Sequence, residues 1–156
     1  MALSNSKYGR TIGGAKTTYG LQPRGAVTTA LAGTNNDLVI RSVHAGPKGN
    51  SYSVVFAVAG TNTPLSVSRS GNVVTVNVAT NGAGAATSTA TQVRDAINAS
   101  DEAKHLVRAE LAPANDGTGV VTALASTALT GGASHPTGYG SGRTARRGAS
   151  GTNANG

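Results

Sequence analysis

From Asp37 onward the chain is organised in short runs of alternating apolar and polar positions. Asp37–His44 (DLVIRSVH) reads as a strand, and Gly46-Pro47-Lys48-Gly49-Asn50 supplies the turn after it. Ser51–Ala59 (SYSVVFAVA) alternates well enough to bury one face. Leu65–Arg69 and Asn72–Ala79 alternate more cleanly: Val74, Val76 and Val78 share a face, and Val73 lies on the other. Between them, Ser70-Gly71 is a two-residue hairpin candidate.

The period then changes. After a loop over Thr80–Ala86, Thr87 or Ser88 can cap a helix over Ala90–Asn98. Ala90, Val93, Ala96 and Ile97 fall at helical spacing, while Gln92, Arg94 and Asp95 point elsewhere. Ser100-Asp101-Glu102 starts a second short turn, with acids at the end the helix dipole favours. Leu106–Ala112 and Val120–Leu129 read as strands divided by an Asn115-Asp116-Gly117 turn, and Gly131-Gly132 closes the run. The predicted fold is α+β: a mainly antiparallel β-sheet or sandwich with one packed α-helix. Residues 34–132 form the compact domain in this reading. Residues 1–33, rich in Gly, Thr and Ser without a sustained period, form an extended N-terminal arm, and residues 133–156 a Gly-rich C-terminal arm.

Charge sharpens that division. The chain carries +7 overall. The first arm holds Lys7, Arg10, Lys16 and Arg24 with no acid, and the last holds Arg143, Arg146 and Arg147 with no acid. Six bases and six acids balance between them, so the whole net charge lies in the expected arms. These seven bases are the candidate partner-binding residues.

Composition bears on stability. Aromatic residues make up 3% of the 156, Phe56 is the sole Phe and there is no Trp, so the core must be filled by Val, Leu, Ile and Ala. Twenty-two glycines add backbone entropy for folding to overcome. Partner subunits, including further copies of the chain, are therefore expected to contribute. The absence of Cys rules out disulfides, Cys-ligated zinc and a thiol nucleophile. No apolar run approaches the roughly 20 residues of a membrane span, and Met1–Arg10 lacks a signal peptide's apolar stretch. A soluble protein is expected, with no membrane partner.

Four blocks in fixed order then suggest a family. They are Ala45-Gly46-Pro47-Lys48-Gly49-Asn50-Ser51-Tyr52-Ser53-Val54, Leu65-Ser66-Val67, Thr87-Ser88-Thr89-Ala90-Thr91-Gln92-Val93-Arg94-Asp95-Ala96-Ile97-Asn98, and Leu129-Thr130-Gly131-Gly132. The set resembles a module recurrent in tailed-bacteriophage head, tail and sheath proteins, over about residues 34–132. The resemblance implies a virion structural role, with assembly in the bacterial host cytoplasm. A capsid decoration or cement protein is the first expectation, bound to the major capsid protein or other virion subunits through its arms. A tail tube or sheath-like subunit is the alternative within the particle. A nucleic-acid-binding protein using its basic tails is the alternative from another class.

Other chemistry finds less support. Gly9–Thr17 (GRTIGGAKT) lacks the phosphate-loop spacing, because Ala15 separates Gly14 from Lys16 and no strand precedes it. His44, His105 and His135 are far apart and show no helical metal-ligand spacing; His44 is expected at the surface, and His105 at a helix end or partly in the core. The serines lack a G-x-S-x-G elbow, and capping explains Asp95, Asp101 and Glu102 more simply than acid–base work. No catalytic residue, metal or cofactor is expected, and the chain is not read as an enzyme. Seven arm charges over about fifty residues, with Tyr8, Tyr19 and Tyr139 as sparse stacking groups, rank nucleic acid below protein contact.

Overall fold

The computed structural model describes residues 22–134. In chain order the elements are β1 (Arg24–Thr28), β2 (Leu38–Ala45), a 3-10 turn (Pro47–Ser51), β3 (Ser53–Ala57), β4 (Ser66–Ser70), β5 (Val73–Asn77), α1 (Ala90–Ala99), β6 (Val107–Leu111) and β7 (Leu124–Ala128). The strands form a three-stranded sheet ordered β1-β2-β6 and a four-stranded sheet ordered β4-β5-β3-β7. The fold is α+β and mainly antiparallel, with one helix.

Alternation does what its period requires. In β3 and β5, Val54, Phe56, Val74 and Val76 turn inward and are fully buried, and Val78 continues that row. Leu38 and Ile40 of β2 and Val107 and Ala109 of β6 face them across the core. The helix lays Ala90, Val93 and Ile97 into the same cluster and packs chiefly on β6. One continuous core, built almost without aromatics, therefore joins both sheets and the helix.

Four details differ from the sequence reading. The hairpin between β4 and β5 turns on Gly71-Asn72, one residue later than expected, since Ser70 pairs with Val73. Gly71 there adopts φ +57, in the left-handed region that favours glycine. The helix is capped by Thr89, not by Thr87 or Ser88. Its hydroxyl accepts from the Gln92 amide at 3.3 Å, and the Gln92 side chain accepts from the Thr89 amide at 2.9 Å. Ser88 is instead buried, accepting from the Ala79 amide at 3.1 Å. β5 inserts between β3 and β4, so the β3–β5 pair is parallel.

The fourth difference moves a boundary. Residues 24–28, assigned from sequence to the first arm, are a strand of the body: β1 pairs antiparallel with β2. Thr29 and Leu31 behind it are buried as well. The reason is backbone pairing at a sheet edge, which needs few apolar side chains. Residues 1–21 and 135–156 lie outside the described residues.

Side chains finish the sheet edges. The Asn98 amide group donates to the Ala109 carbonyl at 2.8 Å and accepts from the Ala109 amide at 3.0 Å, so it serves β6 as a neighbouring strand would. Glu102 accepts from the Arg69 amide on β4 at 2.9 Å. In the turn after β6, Asp116 accepts from the amide and hydroxyl of Thr118 at 2.9 and 2.7 Å. Those bonds hold the Asp116 carboxyl below its ordinary value of 3.8.

Replacing Ile97 by Ala is expected to cost about 2–5 kcal/mol by leaving a cavity, against about 1 kcal/mol for Thr89→Ala at the cap; urea unfolding of both variants measures the difference. Because the folded-state pKa of Asp116 is depressed, its contribution is present above the ordinary aspartate range and is lost as pH falls through the depressed value. Wild type should therefore be more stable than Asp116→Asn at neutral pH, and acid titration of both should bring the two curves together below pH 3.8.

Candidate partner interface

The segments at the two ends of the body meet at one corner. Their meeting point is the 3-10 turn, which starts with Pro47 fixing its first φ and is preceded by Gly46 at φ +80. On the incoming side, the Gly46 amide donates to the Pro23 carbonyl at 2.9 Å. On the outgoing side, the Asn50 side chain donates to the Gly132 carbonyl and accepts from the Gly132 amide, each at 2.8 Å. Asn50 thus holds the departing chain as a paired strand would.

The approach is closer than side chains permit. A Cβ on Gly25 would lie 2.6 Å from the Gly49 carbonyl carbon, and one on Gly49 would lie 2.8 Å from the Gly25 nitrogen. A Cβ on Gly132 would strike the Gly46 carbonyl oxygen and lie 3.1 Å from the Gly25 nitrogen. Ala26 and Thr130 exchange two backbone hydrogen bonds, at 2.8 and 3.0 Å, joining the first sheet to the chain that follows β7. That bridge is antiparallel and isolated, and Gly132 lies close beside Gly25 next to it. The chain entering β1 and the chain following β7 therefore lie side by side at the corner.

Neighbouring groups complete the corner. Between the Arg24–Ala45 and Ala26–Arg41 pairs the register of β1 on β2 shifts, and the slack falls at Ser42–His44. There the buried Ser42 hydroxyl donates to the His44 carbonyl at 2.8 Å and accepts from the His44 amide at 3.0 Å. His44, expected at the surface, is half-buried, with its Nδ1 2.9 Å from the hydroxyl of buried Tyr52. His105 is exposed in the turn after α1 and does not join it.

The seven bases proposed from sequence divide. Lys7, Arg10, Lys16, Arg143, Arg146 and Arg147 lie outside the described residues. Arg24 belongs to the body, where its guanidinium donates to the carbonyls of Ser42 and Val43. Lys48, counted from sequence in the neutral middle, is exposed on the 3-10 turn and belongs with the corner. The corner segments, residues 22–25, 42–52 and 128–134, hold Arg24 and Lys48 and no acid. Elsewhere in the described body six acids face five bases. Three acid–base pairs lie there: Arg41–Glu110 at 3.4 Å, Arg94–Asp95 at 2.7 Å, and Lys104 with Asp101. Among the described residues the excess of bases thus falls in the corner segments.

Sequence reasoning missed this arrangement because its parts come from three separate stretches of the chain. The available signal was the glycine-and-asparagine content of two blocks, Gly46–Asn50 and Gly131-Gly132, which turn out to touch. Among the described residues, no three His, Cys, Asp or Glu side chains gather as metal ligands, and no helix is long and apolar enough to cross a membrane. Comparison with protein families, with curated proteins and with solved structures finds no match for this chain.

Asn50→Ala should lower stability by about 1–3 kcal/mol, since it strips partners from both backbone groups of Gly132. Amide hydrogen exchange at Gly132 should quicken far more than exchange in α1, and equal change at both sites would argue against a local clamp.

Proposed function

We propose that the chain is a structural protein of a tailed-phage particle, a decoration or cement subunit that binds and stabilises the head shell through its basic ends. The observation that carries this reading is the shared corner. Six of the chain's bases belong to the two segments attached there, and the corner's own Arg24 and Lys48 have the same sign. An attachment protein needs a body that presents its binding segments together, and this body is held together at that point by backbone contacts. Extended segments cover much partner surface without enlarging a core, which suits a chain with a single Phe. The major capsid protein is the partner in this reading, neighbouring copies of the chain add contacts, and the place of action is the virion. No catalytic step is assigned.

Undecorated capsids mixed with the purified chain provide the test, read by electron microscopy and by heat resistance of the shells. Added density on the shell and a raised disruption temperature are expected. Rings or tubes formed by the chain alone would move it to the tail, and tight retention on duplex DNA without capsid binding would move it to nucleic acid.

A further inference from the structure

The outward face of the first sheet gathers arginines. Alternation turns Leu38 and Ile40 of β2 and Val107 and Ala109 of β6 into the core. Val39, Arg41 and Val43 on one strand, and Arg108 and Glu110 on the other, therefore face out, with Ala26 and Thr28 of β1 beside them. The register sets Arg41 directly opposite Arg108. Arg24 of β1 reaches the same strand, donating to the carbonyls of Ser42, at 3.3 Å, and Val43. Adjacent strands β1, β2 and β6 thus each contribute an arginine, and Glu110 is the one carboxylate among the outward positions of these strands. Like charges set directly opposite repel. Glu110 offsets this weakly: it accepts from Arg41 Nε at 3.4 Å, with side chains 52% and 65% exposed. Arg108 has no carboxylate within ion-pair distance among the described residues, and its Nη1 meets the Asn98 carbonyl at 3.4 Å. A guanidinium carries five N–H donors, and in these three arginines hydrogen bonds among the described residues engage one nitrogen each. Most donors on this face are thus open to a ligand.

We infer that the outward face of the β1-β2-β6 sheet docks an acidic protein surface, with Arg41 and Arg108 as a paired anchor for a partner carboxylate. A carboxylate placed between the two guanidinium groups accepts from both and removes their repulsion, so the arrangement that costs the free protein stability favours the bound state. Val39 and half-buried Val43 flank Arg41 along β2 and give the partner apolar ground beside the charges. Nucleic acid fits this face less well. Tyr52 and Phe56 are the only Tyr and Phe among the described residues, and both are buried, so the face offers no such ring for bases to stack on. The assignment rests on the body's own residues and is independent of how the chain's ends act.

Titration of the isotope-labelled full-length chain with acetylated, amidated hexaglutamate at low salt, followed by amide NMR shifts, tests the anchor residue by residue. Shifts are expected on β2 and β6 around Arg41 and Arg108, and the affinity is read from those residues alone. Changing both arginines to Gln should weaken it by roughly tenfold, the loss of about one charge-assisted contact. Glu110→Gln, which removes the one competing carboxylate, should tighten it by about twofold to fivefold. Unshifted β2 and β6 amides, or the same affinity at these residues in the double variant, would overturn the docking face. So would weaker binding in Glu110→Gln. Shifts at the same residues at lower concentrations of hexathymidylate than of hexaglutamate would overturn the protein partner in favour of nucleic acid.

Discussion

Three backbone segments lie against one another at Gly25, Gly49 and Gly132 because none of them carries a Cβ there, and much of the molecule depends on that contact. It brings the start of β1 and the chain beyond β7 onto the turn that joins β2 to β3. Once there, Ala26 and Thr130 lie within backbone hydrogen-bonding distance, and the two sheets become linked outside the core as well as through it. A methyl group at any of the three glycines would meet backbone atoms, which yield far less readily than the end of a flexible side chain.

The same economy recurs along the sheet edges. Asn50 and Asn98 each offer a donor and an acceptor to one backbone residue, and Glu102 accepts from the outer strand β4. Short strands of mostly five residues, with little aromatic surface, are completed in this way by polar side chains. Satisfying backbone groups prevents loss where further burial is not on offer. The edges are also made less available for unspecific strand pairing, which matters for a protein read as assembling on others.

Charge and topology converge at the corner. Glu110, Asp95 and Asp101 pair with bases, Asp37, Glu102 and Asp116 accept from backbone, hydroxyl and amide groups, and the excess of bases over acids falls at the corner and in the sequence outside residues 22–134. For a protein that assembles through this corner, bases of one sign there would orient its approach to an acidic surface, because the electrostatic torque acts before any contact forms.

What the sequence determined by itself was local. Alternation placed β3, β5 and β6 within a residue or two, the shift to helical spacing placed α1, and glycine marked the β4–β5 turn. Even the cap was legible: Thr89 and Gln92 have capping-box spacing, and the choice among Thr87, Ser88 and Thr89 could have been made from it. Only the tertiary structure decided that Arg24–Thr28 is a strand, since with Val27 as its one large apolar residue it shows no periodic face and is defined by pairing with β2. Strand order was likewise out of reach: a period of 2 fixes which side chains share a face and says nothing about which neighbour supplies the hydrogen bonds, so β5 could run parallel to β3. The corner was the least legible part, because its contacts join three separate stretches of the chain and consist largely of backbone approaching backbone, for which an absent side chain leaves no pattern to read.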